Sequence, residues 1–103
     1  MSLTGREKAE LRAEAHHLPA VVHVGKEGLS PALVQSLDDA LRTRELVKVQ
    51  LGRSVDEKAK ALAGKIAERV GAEIIQVIGK TITLYRHNPE LKRKAGDPPP
   101  WRK

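Results

Sequence analysis

Val21-Val22-His23-Val24-Gly25-Lys26-Glu27-Gly28-Leu29-Ser30-Pro31 carries the chain from a short β-branched run, through a Gly-x-x-Gly loop, into a helix-start signal. Residues 20–24 read as a buried first strand. Ser30 is a favoured N-cap, and Pro31 fits the first helical position, where its missing N–H is no loss. A strand that turns directly into a helix is the repeating unit of α/β folds. The loop itself also carries chemistry. Glycines permit φ > 0 and close approach of a ligand, and the following helix N-terminus presents N–H groups to an anion. Lys26 adds a cation, whereas Glu27 places a carboxylate in the same loop.

Upstream, Thr4-Gly5-Arg6-Glu7 has the spacing of a capping box, which predicts a first helix from there to about Ala15. Leu11, Ala15 and Leu18 form its sparse apolar stripe, with Arg6, Lys8 and Arg12 on the remaining surface. Pro19 ends it. Downstream, Leu33, Val34, Leu37 and Leu41 recur at helical spacing, leaving Asp38, Asp39 and Arg42 for solvent. Leu46-Val47-Lys48-Val49-Gln50-Leu51 then alternates with the period of a half-buried strand. Ser54-Val55-Asp56-Glu57 reads as a second capping box, and Ala59, Leu62, Ala63, Ile66 and Val70 carry a third helix to Gly71. Gly79-Lys80 is a two-residue turn with Gly first, the signature of a hairpin in residues 73–86. Its register predicts the pairs Ile78 with Thr81, Val77 with Ile82, Gln76 with Thr83, and Ile75 with Leu84. Ile75, Val77, Ile82 and Leu84 would then share the core face. Gln76, Thr81, Thr83 and Tyr85 would share the other, too polar for a second full core. The order is αβαβαββ, a single small α/β domain over residues 1–86 with a four-stranded mixed sheet.

Composition limits what such a domain can do. With 103 residues, the chain can bury one core. Phe is absent, and Tyr85 and Trp101 are the only aromatics among Phe, Trp and Tyr. The core is therefore aliphatic, and extensive base stacking on aromatic platforms is nearly excluded. Without cysteine there are no disulfides, thiolate metal sites or thiol nucleophiles, consistent with a reducing compartment. No apolar run approaches the roughly 20 residues of a membrane span, and the N-terminus is charged. A cytoplasmic location, no membrane association and a monomeric state are expected. The net charge is +6, and residues 86–103 hold six basic against two acidic residues, so the globular part is nearly balanced. Pro and Gly interrupt any periodicity beyond Arg86, which makes 87–103 a basic, disordered tail able to attract polyanions.

Other motifs have ordinary explanations. Gly79-Lys80-Thr81 lacks the leading glycine and the strand-loop-helix context of a nucleotide-binding phosphate loop. His16, His17, His23 and His87 lack the spacing and acidic partners of a zinc site. The acidic residues lie on polar helix faces beside Lys or Arg, and no matched acid, base, nucleophile or metal set stands out. No catalytic residue, cofactor or metal is expected.

The ordered string is more specific than any single motif. Leu3-Thr4 opening a basic helix, Arg12-x-x-Ala15-His16-x-Leu18-x-x-Val21-Val22, Val24-Gly25-x-x-Gly28-Leu29, Glu45-Leu46-Val47-Lys48-Val49 and Gln76-Val77-Ile78-Gly79-Lys80-Thr81-Ile82-Thr83-Leu84-Tyr85-Arg86 together resemble the CRM domain (chloroplast RNA splicing and ribosome maturation), in its stand-alone bacterial YhbY form. The resemblance covers residues 3 to about 86. It implies a fold similar to the C-terminal domain of translation initiation factor three and an RNA-contacting loop at Gly25, Lys26, Glu27 and Gly28. It also implies ribosomal RNA in precursors of the large ribosomal subunit as the partner.

The expectation is therefore noncatalytic. Loop N–H groups and Lys26 hold an RNA backbone, and Arg6, Lys8, Arg12, Lys48, Lys80 and Arg86 add cationic contacts. Phosphate contacts position RNA, so specificity would come from shape or from single-stranded bases at the loop. Two other classes stay open: a protein-interaction module whose tail gives nonspecific RNA attraction, and a small enzyme.

Overall fold

The computed structural model describes residues 4–55 and 57–88. Seven elements follow one another: α1 (Gly5–Ala15), β1 (Val22–Val24), α2 (Pro31–Arg44), β2 (Leu46–Leu51), α3 (Ala59–Val70), β3 (Glu73–Ile78) and β4 (Thr81–Tyr85). The αβαβαββ order and the mixed sheet are those the sequence predicts. In the sheet the strands lie β1-β2-β4-β3, with β1 and β2 parallel and β4 antiparallel to both its neighbours. The parallel pair needs a crossover, which α2 supplies.

Local signals explain most boundaries. The Thr4 hydroxyl accepts from the Glu7 N–H at 3.1 Å and the Glu7 carboxylate accepts from the Thr4 N–H at 3.0 Å, closing the predicted capping box of α1. Ser30 caps α2 by accepting from the Leu33 N–H at 3.1 Å, with Pro31 in the first turn. Gly71 ends α3 in the left-handed conformation. The second capping box does not form. Instead the Val55 N–H donates to the Gly52 carbonyl at 3.2 Å, and the resulting turn sets Val55 against the core. The helix begins later, at Ala59 after Lys58, which makes no side-chain cap, and Glu57 pairs with Lys65 across 2.5 Å. Strand β1 is also shorter than the predicted 20–24.

One face of the sheet carries the main core. Leu33, Leu37 and Leu41 of α2 and Leu62, Ala63 and Ile66 of α3 pack on Val22, Val24, Val47, Val49, Leu51, Ile82 and Leu84. Each fully buried Leu or Ile contributes about 1.5–3 kcal/mol. The hairpin has the predicted register for its first three pairs, turning at Gly79 with φ +55. Beyond them the ladder shifts: Ile74, not Ile75, opposes Leu84, and Glu73 opposes Tyr85. The bulge between Ile74 and Gln76 sends Ile75 to the opposite face, which corrects its predicted place beside Val77 and Ile82. There Ile75 joins Leu11, Ala15 and Leu46, with Leu18 and Tyr85 at the margin. The second face is thus neither bare nor fully covered.

The expected tail lies mostly outside the described residues, but its first two are docked. The Asn88 N–H donates to the Glu45 carboxylate at 2.6 Å, and the Asn88 side-chain amide donates to the Arg42 carbonyl at 2.7 Å.

Candidate nucleic-acid interface

Strand β1 ends at Val24, opposite Leu51, and the Leu51 N–H donates to the Lys80 carbonyl at 2.8 Å. The Gly25–Gly28 loop and the β3–β4 turn therefore occupy one end of the sheet, with Lys26 and Lys80 both exposed there. Within the loop, the Gly28 N–H donates to the Gly25 carbonyl and the Ser30 N–H to the Gly28 carbonyl, each at 3.0 Å. Gly28 stands at φ +64, where a side chain would be strained, so this glycine serves the fold. Gly25 differs: its φ is ordinary and a Cβ there would meet nothing within 4 Å. The fold does not require it, and its bare backbone faces open space.

The helix terminus beside the loop offers fewer donors than a generic one. Pro31 has no N–H, Ser30 occupies that of Leu33, and the Val34 N–H donates to the Ser30 carbonyl. Among the described residues, the loop N–H groups of Lys26, Glu27 and Leu29 make no internal hydrogen bond. With the Ala32 N–H of the first turn of α2, which among these residues also has no internal partner, they are donors available to an anion.

From the loop a groove of about 710 Å³ runs between β1 and α2 to Arg44, with His23 and Ser36 along it and Leu33 and Ala40 in its floor. Helix α2 has 14 residues, so the groove is about 20 Å long. Arg44 and Val21 also line a small recess with Leu18 and Lys48, and Lys48 in turn lines a cavity between α1 and the sheet. Arg44, His23 and Ser36 are absent from the sequence-derived site. Arg44 sits in a helical turn with Arg42, and its place at the groove end comes from packing α2 on β1, for which the sequence has no local signal.

The predicted cations separate into groups. Lys26 lies at the groove mouth and Lys48 beyond its far end, linked through Arg44. Lys80 shares the loop end of the sheet. Arg6 is on α1, ion-paired to Glu10 at 3.5 Å on an exposed surface, and Lys8 and Arg12 are half-buried on the same helix. Arg86 is elsewhere: Tyr85 pairs with Leu46, so Arg86 emerges at the sheet end opposite the loop. Its guanidinium donates to the Asp38 carboxylate at 2.8 Å, to the Val70 carbonyl at 2.8 Å and to the Asp38 carbonyl at 3.1 Å. These bonds tie β4 to α2 and α3, so Arg86, read from the sequence as a cationic RNA contact, is a structural clamp here, and its partner Asp38 is not the solvent-facing residue the sequence predicts. Glu45 is likewise structural. It is fully buried at φ 63 and ψ −46, a rare backbone conformation for a residue with a side chain. Its carboxylate also lies 3.3 Å from His87 Nδ1.

The result is a small α/β module that presents a glycine loop with free N–H donors, a cation beside it and a groove ending in a second cation. Residues 3–86 match the CRS1 / YhbY (CRM) domain, and the chain belongs to that family. It is similar to the Bacillus subtilis protein named "Probable RNA-binding protein YqeI", 35% identical over 91 residues that cover 88% of this chain and 95% of the relative. A Haemophilus influenzae relative named "RNA-binding protein" is 32% identical over 91 residues, covering 88% of this chain and 92% of its own. The fold matches the solution structure of the hypothetical protein SAV1595 from Staphylococcus aureus with a TM-score of 0.75 and 36% identity, over 88% of this chain and 95% of that one.

Proposed function

We propose that this protein binds RNA without catalysis, holding a single-stranded backbone at the Gly25–Gly28 loop and along the groove toward Arg44. Gly25 carries the reading: it is a glycine that the fold does not need, beside a lysine and three N–H groups without internal partners. A bare backbone of this kind lets a phosphate approach closely, and a Gly-x-x-Gly loop clamping about four nucleotides is a known way to hold RNA. The names of its relatives support the same partner. Within this family the partner we favour is ribosomal RNA in precursors of the large subunit, met in the cytoplasm during ribosome assembly. Lys26, Arg44 and Lys48 supply the phosphate contacts, with Lys80, Arg6, Lys8 and Arg12 as peripheral cations. Arg86 takes no part.

The test is a salt titration of affinity for a single-stranded RNA. Lys26→Glu is expected to weaken binding and to flatten the slope of log K against log salt by about 0.7 for each phosphate no longer neutralised, with unfolding unchanged. Gly25→Ala is expected to weaken binding with no loss of stability. A chain ending at Asn88 should retain the Lys26 dependence. Complete loss of binding on that truncation, with no effect of Lys26→Glu in the full chain, would give the RNA attraction to the basic tail and leave the domain to dock protein. Crosslinking in cells locates the RNA: reads outside large-subunit precursors overturn the ribosomal assignment.

A further inference from the structure

We infer that the cavity where α1 ends on the open half of the sheet is a nucleobase pocket, which takes one unstacked base of a single-stranded RNA whose backbone passes Lys48. The inference rests on the RNA-binding reading above and adds a place where sequence is read. Helix α1 covers only the Leu46 and Ile75 end of its sheet face. Past Ala15 the helix stops, and the face continues bare through Lys48, Gln76, Thr81 and Thr83 to Ile78. The step between helix and sheet encloses about 270 Å³. That is just under the roughly 300–1,000 Å³ of sites for drug-sized ligands, the order suited to a single heterocycle.

The lining has the chemistry of a base-edge reader. Thr83 is 3% exposed, yet its hydroxyl makes no hydrogen bond among the described residues, and the Gln76 amide makes none either. A buried polar side chain in a native protein ordinarily has a partner, so an unpaired one facing a cavity calls for something in that cavity. Hydroxyl and amide each both donate and accept, which matches the mixed donor and acceptor edges of the bases. Thr81 is already fixed, its hydroxyl donating to Gln50 Oε1 at 2.9 Å, and keeps acceptor capacity. Ile78, 55% exposed, and the Ala15 methyl supply apolar surface for the base faces. No aromatic platform is needed: Tyr85, the one Phe, Tyr or Trp among the described residues, is packed against the α1 cluster instead.

Lys48 gives the pocket its link to a backbone. It lines both this cavity and the recess it shares with Arg44 and Val21, and those two residues line the loop groove. One RNA strand can therefore hold phosphate at Lys26 and at Lys48 while a base turns inward between helix and sheet.

The full chain is titrated with eight-nucleotide homopolymers of U, C and A at fixed salt. Wild type is expected to prefer one of them by about fivefold, the worth of a single net hydrogen bond. Gln76→Ala and Thr83→Val should each abolish that preference without changing the salt slope, and Thr83→Ser should retain it. A wild type with no preference, or folded Gln76→Ala with its preference intact, overturns the pocket. Addition of nucleoside 5′-monophosphates to the unmodified protein gives a reading independent of any variant. Amide shifts at residues 15–16 and 76–83 are expected, and shifts confined to residues 25–30 overturn the pocket. If wild type binds none of the homopolymers at any salt, it is the RNA-binding proposal that fails.

Discussion

The two faces of the sheet are built to different standards. Beneath α2 and α3, Leu37, Leu41, Ile66, Ile82 and Val49 are wholly buried within one continuous aliphatic cluster. Beneath α1, a cluster of four residues occupies one end and the other end is threonine, glutamine and lysine around a cavity. Close packing of the kind on the first face leaves no space for a ligand and tolerates little change in volume. The second face gives up burial and keeps surface that can be shaped to a partner. The main core and the base pocket thereby lie on opposite sides of a single layer of strands, while the loop groove follows the β1–α2 edge of the packed side, and core mutations away from that groove should be nearly silent in base preference.

That contrast can be broken by mutation. Leu37→Ala on the packed face should cause the largest loss, about 3–5 kcal/mol in urea unfolding, with RNA affinity of the folded fraction unchanged. Leu11→Ala on the sparse face should cost about 2 kcal/mol, because the smaller cluster borders solvent and can relax around the deletion. Equal costs would show that the α1 side is as tightly packed as its opposite. Arg86→Lys keeps the charge and loses the fork that bonds Asp38 and Val70 together, for an expected loss of about 1–2 kcal/mol in thermal unfolding, again without loss of RNA affinity. The smallest effect belongs to the α1 cap. The Thr4 N–H and hydroxyl hold the Glu7 carboxyl below the ordinary glutamate range, so its contribution is complete at neutral pH and is lost as acid protonates it. Amide protection in α1, corrected for intrinsic exchange, should fall as the pH drops below about 4.3 in wild type. It should not change with pH over that window in Glu7→Gln.

Much of the architecture was legible because its signals are local. The Thr4 and Glu7 pair, Ser30 before Pro31, and the Gly79 turn each specify geometry within four residues, and all three form as read. The bulge is different in kind. Ile74 and Ile75 are equally apolar, so alternation cannot say which faces the core, and the choice falls to the helix that packs on the other side. The Ser54 to Glu57 spacing fits a cap, but the chain closes a turn at Gly52–Val55 instead, with half-buried Val55 against the core, and the helix starts at Ala59. For the candidate site, the loop was visible as a motif, whereas the groove and its Arg44 terminus were not, since they exist only once α2 lies along β1. Arg86 shows the converse: a cation beside a basic segment looks available until Asp38 and the Val70 carbonyl are brought to it across the fold.

Glu45 sets an unusual condition on how this sequence can drift. Its backbone conformation favours glycine, at a cost of about 1–3 kcal/mol for any other residue. Its carboxylate meanwhile receives the Asn88 N–H in a site closed to water. Glycine would satisfy the first demand and forfeit the second, and alanine would satisfy neither. Position 45 is therefore a narrow gate for substitution, and a random library selected only for folding should return glutamate there more often than its local helix-ending context would favour.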